Sequence, residues 1–189
     1  MFPILFTLSL LFLIGELAPD EDTRRQRFLA GKTNDCTRCD LAGRDLALRA
    51  FDNANFAHAN LKGAVLGGAQ LHRANFAHAD LTGAVLRQAN LSDATFDHAN
   101  LTRAEFRCGG GTCTDLSGTS FKNATLVEAD FRVVGFTPVE EVGLPQADFT
   151  GADLRGATFE GASLKGTSLD RAKLCNTTLP NGSISNRDC

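Results

Sequence analysis

Strong charge of one sign is missing from this 189-residue sequence, in which 19 Lys and Arg stand against 22 Asp and Glu for a formal net charge of −3. So weak a field neither steers nucleic acid nor imitates it at long range. An apolar run long enough to span a bilayer, which takes about 20 residues, is missing too, because the stretch from Phe2 to Ile14 is too short. No catalytic constellation emerges. Ser and Asp are abundant but sit at outward positions fixed by a repeat, and the histidines have no nucleophile at convergent spacing. Gly109, Gly110 and Gly111 are followed by no Lys-Ser or Lys-Thr and open no predicted helix, which excludes a phosphate-binding loop. The chain is therefore read as non-enzymatic, with no catalytic residue and no cofactor. Trp and Tyr are absent as well, so its 14 Phe supply all the aromatic content.

What the sequence does contain is a nested period. FAHANLKGAV, from Phe56 to Val65, returns as FAHADLTGAV from Phe76 to Val85. Within both, a large apolar residue recurs every five positions, unbroken from Leu41 and Leu46 through Leu101 and Phe106, and Ala stands two positions before most of them. Residues two apart in an extended chain point to one side, so each Ala and its Leu or Phe share an inward face. A helix fails to explain this, because a five-residue repeat drifts around a 3.6-residue turn. Near-identical residues return after 20 positions, or four units, and like stacks on like in solenoids. The expectation is a four-sided coil whose interior holds only its own side chains, which confines function to outer faces, loops and ends.

The units Ala59-Asn60-Leu61, Ala79-Asp80-Leu81, Ala99-Asn100-Leu101, Ala129-Asp130-Phe131 and Ala152-Asp153-Leu154 resemble those of the pentapeptide-repeat family. The resemblance runs from about Cys36 to Ile184. It implies an all-β fold, a right-handed quadrilateral β-helix. It says far less about function, since family members with assigned roles do unrelated things. Some of them resemble a DNA duplex and bind type II topoisomerases through an acidic rod surface, which makes such binding an alternative here. The low net charge and an export signal both stand against it.

Residues 1–18 are read as that signal, with Phe2 to Ile14 as its apolar region. Its first residues carry no Lys or Arg, and Glu16 departs from a small-x-small cleavage site. An uncleaved anchor or a misassigned start are the competing readings. The expected location is periplasmic, secreted or another extracytoplasmic lumen, with no membrane association after cleavage. Residues 19–35 form a capping helix and lead-in: Asp20, Glu21 and Asp22 precede Arg24, Arg25 and Arg27, an order that suits the helix dipole, and Gly31 is placed to end the helix. Its Phe28 and Leu29 are expected to cover the open bottom of the coil. The coil itself takes 36–184, with a bulge near 137–143, and 185–189 form a tail.

Six cysteines, Cys36, Cys39, Cys108, Cys113, Cys175 and Cys189, agree with export, since an even count in a small exported domain implies disulfides. They fall into three local pairs, 36 with 39, 108 with 113 and 175 with 189, among the 15 pairings that six cysteines allow. Cys108 and Cys113, five apart, are expected at equivalent positions on adjacent sides. Cys36-Thr37-Arg38-Cys39 has a sharper alternative as a redox-active pair, hence a thiol oxidoreductase, but lacks the βαβ context such chemistry favours.

Three outward features remain. His58, His78 and His98 are spaced by 20 and should stack in a column, a weak candidate for metal set against a solvated ladder; His72 lies on another side. Val139, Glu140 and Glu141 interrupt the register and form the candidate recognition loop. Sequons at Asn90, Asn100, Asn123, Asn176 and Asn181 arise from the repeat itself. The function expected is a scaffold for protein–protein interaction, its partner unnamed, and the last coil, bearing Leu174, Leu179 and Ile184, is an end-to-end homodimer contact if the tail leaves it uncovered.

Overall fold

The computed structural model describes residues 20–108, 113–133 and 144–189. The segment read as a signal, Gly109 to Gly111, and the candidate loop Val139, Glu140 and Glu141 lie outside the described residues.

Helix α1 (Glu21–Leu29) precedes the repeat. Asp20 caps it by accepting from the Thr23 backbone N–H at 2.7 Å, and Glu21 and Asp22 stand in the first turn with Arg27 in the last, so both ends suit the dipole. Gly31, at φ 67°, ends it. Buried Phe28 stacks on Phe51 at 5.0 Å and meets Phe56 edge-on at 5.1 Å, which closes the lowest rung. Arg24 and Arg49 fasten the helix by donating to the carbonyls of Thr37 and Leu29.

Above the helix the chain climbs through parallel bridges, each residue pairing with one that follows it by 20, from Asp35↔Asn55 to Val85↔Glu105. Every five-residue unit repeats one hydrogen-bond pattern. The Phe56 N–H donates upward to the Asn75 carbonyl at 2.7 Å, and the Ala59 N–H turns back to the Phe56 carbonyl at 2.9 Å. That turn puts its second residue in the left-handed region, as at His58 (φ 59°), Arg73 (φ 56°) and Gln88 (φ 62°). Gly63 and Gly83 occupy the same place without the cost a Cβ carries there.

Inside, the Phe and Leu residues are buried as the five-residue period requires. Phe56, Phe76, Phe96, Phe121 and Phe149 form one stack with centroid spacings of 4.8, 4.6, 5.1 and 4.8 Å. Phe106, Phe131 and Phe159 form a second, and the two meet edge to face, as in the 88° contact of Phe121 with Phe131. Outside, Asn side chains link neighbouring rungs. Asn75 donates its amide to Asn55 Oδ1 at 3.1 Å, while its own Oδ1 accepts from the Ala77 N–H at 3.0 Å. The Asn or Asp between Ala and the large residue thus braces its own turn and, at Asn, the rung below.

The offset between bridged partners then changes. It is 25 from Asn90↔Asp115 through Cys108↔Val133, 28 from Ser120↔Asp148 through Asp130↔Thr158, and 20 again from Asp148↔Ser168. The two long rungs hold five and eight residues more than the basic one. Phe106 follows Leu86 on one side and is followed by Phe131, while Leu116 follows Leu91 on the next side. The Gly118 N–H, donating to the Pro145 carbonyl at 3.0 Å, sets the Leu144 unit above Leu116. The extra residues therefore fall between Phe106 and Leu116 and between Phe131 and Leu144. Both insertions leave from one corner, on successive rungs.

The C-terminal end is covered in part by an antiparallel pair, β1 (Thr177–Thr178) and β2 (Ile184–Ser185). Asp188 accepts from the Leu174 N–H at 2.9 Å and Cys175 faces Cys189 with a Cα separation of 4.9 Å, so the tail folds back across Leu174. Leu174 is buried, whereas Ile184 is 59% exposed. Among the described residues no helix is long and apolar enough to cross a membrane.

Candidate functional site

The corner with two insertions is the place where the repeat is broken most. Cys108 stands just outside Phe106 and bridges Val133 on the rung above, so both insertions depart in register. Cys108 and Cys113 approach to a Cα separation of 4.3 Å and are joined. They do not occupy equivalent positions on adjacent sides, as the spacing alone suggests. Phe106 and Leu116 are central residues of consecutive sides, so the spacing of five between the cysteines does not carry Cys113 to the next side, and the disulfide joins the two residues that flank the first insertion.

Thr114 and Thr119 take inward places next to this corner where the repeat has Ala. Their hydroxyls donate to the Leu86 and Leu91 carbonyls at 2.9 and 3.0 Å, so neither buried oxygen lacks a partner. Thr177 does the same with Leu154 at 2.7 Å near the C-terminal end. A shallow cavity of about 20 Å³ opens among Phe106, Cys108, Thr114, Val133 and Leu144, which is room for about one water.

Arg87, Arg107 and Arg132 flank the corner, each following the central residue of its unit. Arg87 pairs with Glu105, Arg107 lies 3.9 Å from the same carboxylate, and Arg132 grips Asp130 through two side-chain bonds of 2.9 and 2.7 Å. Burial pushes the Asp130 carboxyl up; bonds from the Arg132 guanidinium and backbone N–H, with charge from Arg132 and Arg107, outweigh it and hold the group below the usual carboxylate range. The surface beside the corner thus alternates paired cations and anions and carries no large net field.

The other sites read from sequence are dispersed. Cys36 and Cys39 are joined and fully buried, Cys36 beneath Phe56, so neither sulfur is open to attack. His58, His78 and His98 form a column of exposed rings, stacked at 4.9 and 5.0 Å and parallel within 6°. Their in-plane lone pairs run side by side, and among the described residues no three metal-ligating side chains converge. His72 stands elsewhere, its Nδ1 3.0 Å from the Ser92 carbonyl and 2.9 Å from its hydroxyl. What sequence reasoning missed is the shared corner, although the signal was present in the spacings that separate Leu86, Phe106 and Phe131 from Leu91, Leu116 and Leu144.

The profile of a family described as pentapeptide repeats matches in eight copies, over residues 35–69, 50–88, 69–107 and 145–179. The comparison with curated proteins found no match. Among solved structures, HetL, a pentapeptide repeat protein involved in heterocyst differentiation regulation from the cyanobacterium Nostoc sp. strain PCC 7120, is 27% identical over 80% of this chain and 83% of its own, with a TM-score of 0.29. A pentapeptide repeat protein from the Arabidopsis thaliana thylakoid lumen is 28% identical over 67% and 72%, with a TM-score of 0.29. QnrB1, a plasmid-mediated fluoroquinolone resistance protein, is 25% identical over 76% and 73%, with a TM-score of 0.37.

Proposed function

This chain belongs to the pentapeptide-repeat family, and from that membership we propose an exported, disulfide-stapled, non-enzymatic scaffold, a right-handed quadrilateral β-helix that holds a protein partner at its insertion corner. The observation that carries the reading is the departure of both insertions from one corner on successive rungs. A rigid stack that presents neighbouring loops is the arrangement on which recognition is commonly built. The loop residues Val139, Glu140 and Glu141, which enter through the second insertion, supply the apolar and acidic contacts. Near-neutral surroundings suit a protein partner better than a polyanion or a surface that must imitate one.

Export rests on the apolar segment at residues 2–14 and on three cysteine pairs at bonding distance, which fit an oxidising compartment. Partial cover of the C-terminal end, with Ile184 exposed and Leu174 buried, supports the reading of that end as the contact for a second copy in an end-to-end homodimer.

Two measurements test the reading. In the first, a photocrosslinker at position 139 is compared with one at Arg73, on a regular side. A single specific adduct from position 139 alone supports corner recognition, and equal labelling from both positions removes it. In the second, alkylation of unreduced protein followed by mass spectrometry locates the mature N-terminus and the bridges. Six reactive thiols would withdraw the argument for export and restore topoisomerase binding as the leading alternative.

A further inference from the structure

We infer that the column His58, His78 and His98 is a surface site for a late first-row dication such as Zn²⁺, held by two neighbouring imidazoles at a time. Each ring stands at a left-handed turn position, with φ of 59°, 59° and 60°, so the three side chains leave the backbone in the same direction on successive rungs. The rings are exposed, and the adjacent column carries Ala57 and Ala77 beside the lower two, leaving them space to turn. In the stacked state the centroids are 4.9 and 5.0 Å apart. Two nitrogens bound tetrahedrally at about 2.1 Å from one zinc lie roughly 3.4 Å apart. Rotating two neighbouring rings toward each other closes that difference. A third ring, a further rung away, stays out of reach, and water completes the coordination.

Imidazole is a ligand suited to Zn²⁺, Cu²⁺ and Ni²⁺, and it binds them only when neutral. The column is bounded by Arg38 below His58 and Asn123 above His98, with Asp97 beside the uppermost ring. Neither neighbour along the column extends the imidazole set, so the pairs are His58 with His78 and His78 with His98. His78 belongs to both.

Zn²⁺ titration of the full chain, by calorimetry at about pH 7.5 with the histidine ring protons followed by NMR, tests this. Asn is the replacement to use, because it tolerates the left-handed conformation and already holds it at Asn123 in this column (φ 55°). His78→Asn removes both pairs and is expected to weaken binding by about tenfold or more, through loss of the second, intramolecular ligand. His58→Asn and His98→Asn each leave one pair and should weaken it by only about twofold. His72→Asn should change nothing. Unchanged affinity in His78→Asn, equal losses in all three column variants, or no binding by the unaltered chain would each overturn the inference.

Discussion

The ring of Phe76 lies between those of Phe56 and Phe96, 4.8 and 4.6 Å away and parallel within 4°, with no solvent exposure. Phe76→Ala opens a gap in a stack whose backbone rungs are fixed by hydrogen bonds and cannot collapse into it. A loss of about 3–5 kcal/mol is expected in chemical denaturation. Acid sensitivity is also set by single residues. Asp153 is held below its ordinary value of 3.8 chiefly by its bond from Arg155, and Asp130 is held low by Arg132 and Arg107 against burial. Because both carboxyls have lower pKa values folded than unfolded, they contribute stability that is present above about pH 4 and lost as pH falls from there through the depressed values. A denaturation midpoint that is flat above about pH 5 and declines below about pH 4 is the expected profile, and Asp130→Asn should flatten part of that decline. The inward residues were legible because period two within each unit and period five between units leave one choice of face. Thr114, Thr119 and Thr177 were not, since a hydroxyl is accepted inside only where a carbonyl of the rung below can receive it, and that carbonyl is a tertiary neighbour.

Among the elements, α1 was legible from its charge order and its glycine stop, and Phe28 from its place on the helix. The disulfide-closed neck of the first insertion was legible only as a pair. A spacing of five between two cysteines is also the spacing of one side of the coil, and only the offsets of neighbouring rungs show that Phe106 and Leu116 already stand on consecutive sides. Cys108→Ser with Cys113→Ser opens the bridge across the first insertion. Loop entropy for about five residues gives a loss of about 2 kcal/mol, with the cooperative transition retained. A thermal melt of that variant beside the unaltered chain measures it. Complete unfolding would mean that the bridge replaces a core side after all.

Taken whole, the molecule is nearly one-dimensional, since each rung touches only the rungs above and below. Stability should therefore be highest in the middle and fall toward the ends. Amide hydrogen exchange is expected to be slowest for the upward-donating N–H groups of Phe76, Leu81 and Leu86, and faster for Phe149 and Leu154 near the half-covered end. Equal protection along the whole coil would show that it opens only as a unit.

By itself the sequence determined the coil: a large apolar residue every five positions and like residues every 20 admit no helix and no flat sheet, because only a chain that turns in one sense keeps all of them inside. It also determined the cap, since charge order and a glycine stop are local. Only the tertiary structure decided that two separate interruptions, 20-odd residues apart along the chain, share one corner. The same holds for the outward histidines, whose facing rings are a matter of rotamer as well as register. A repeat fixes which residues lie above one another, but added residues and side-chain torsions are set by what surrounds them in space.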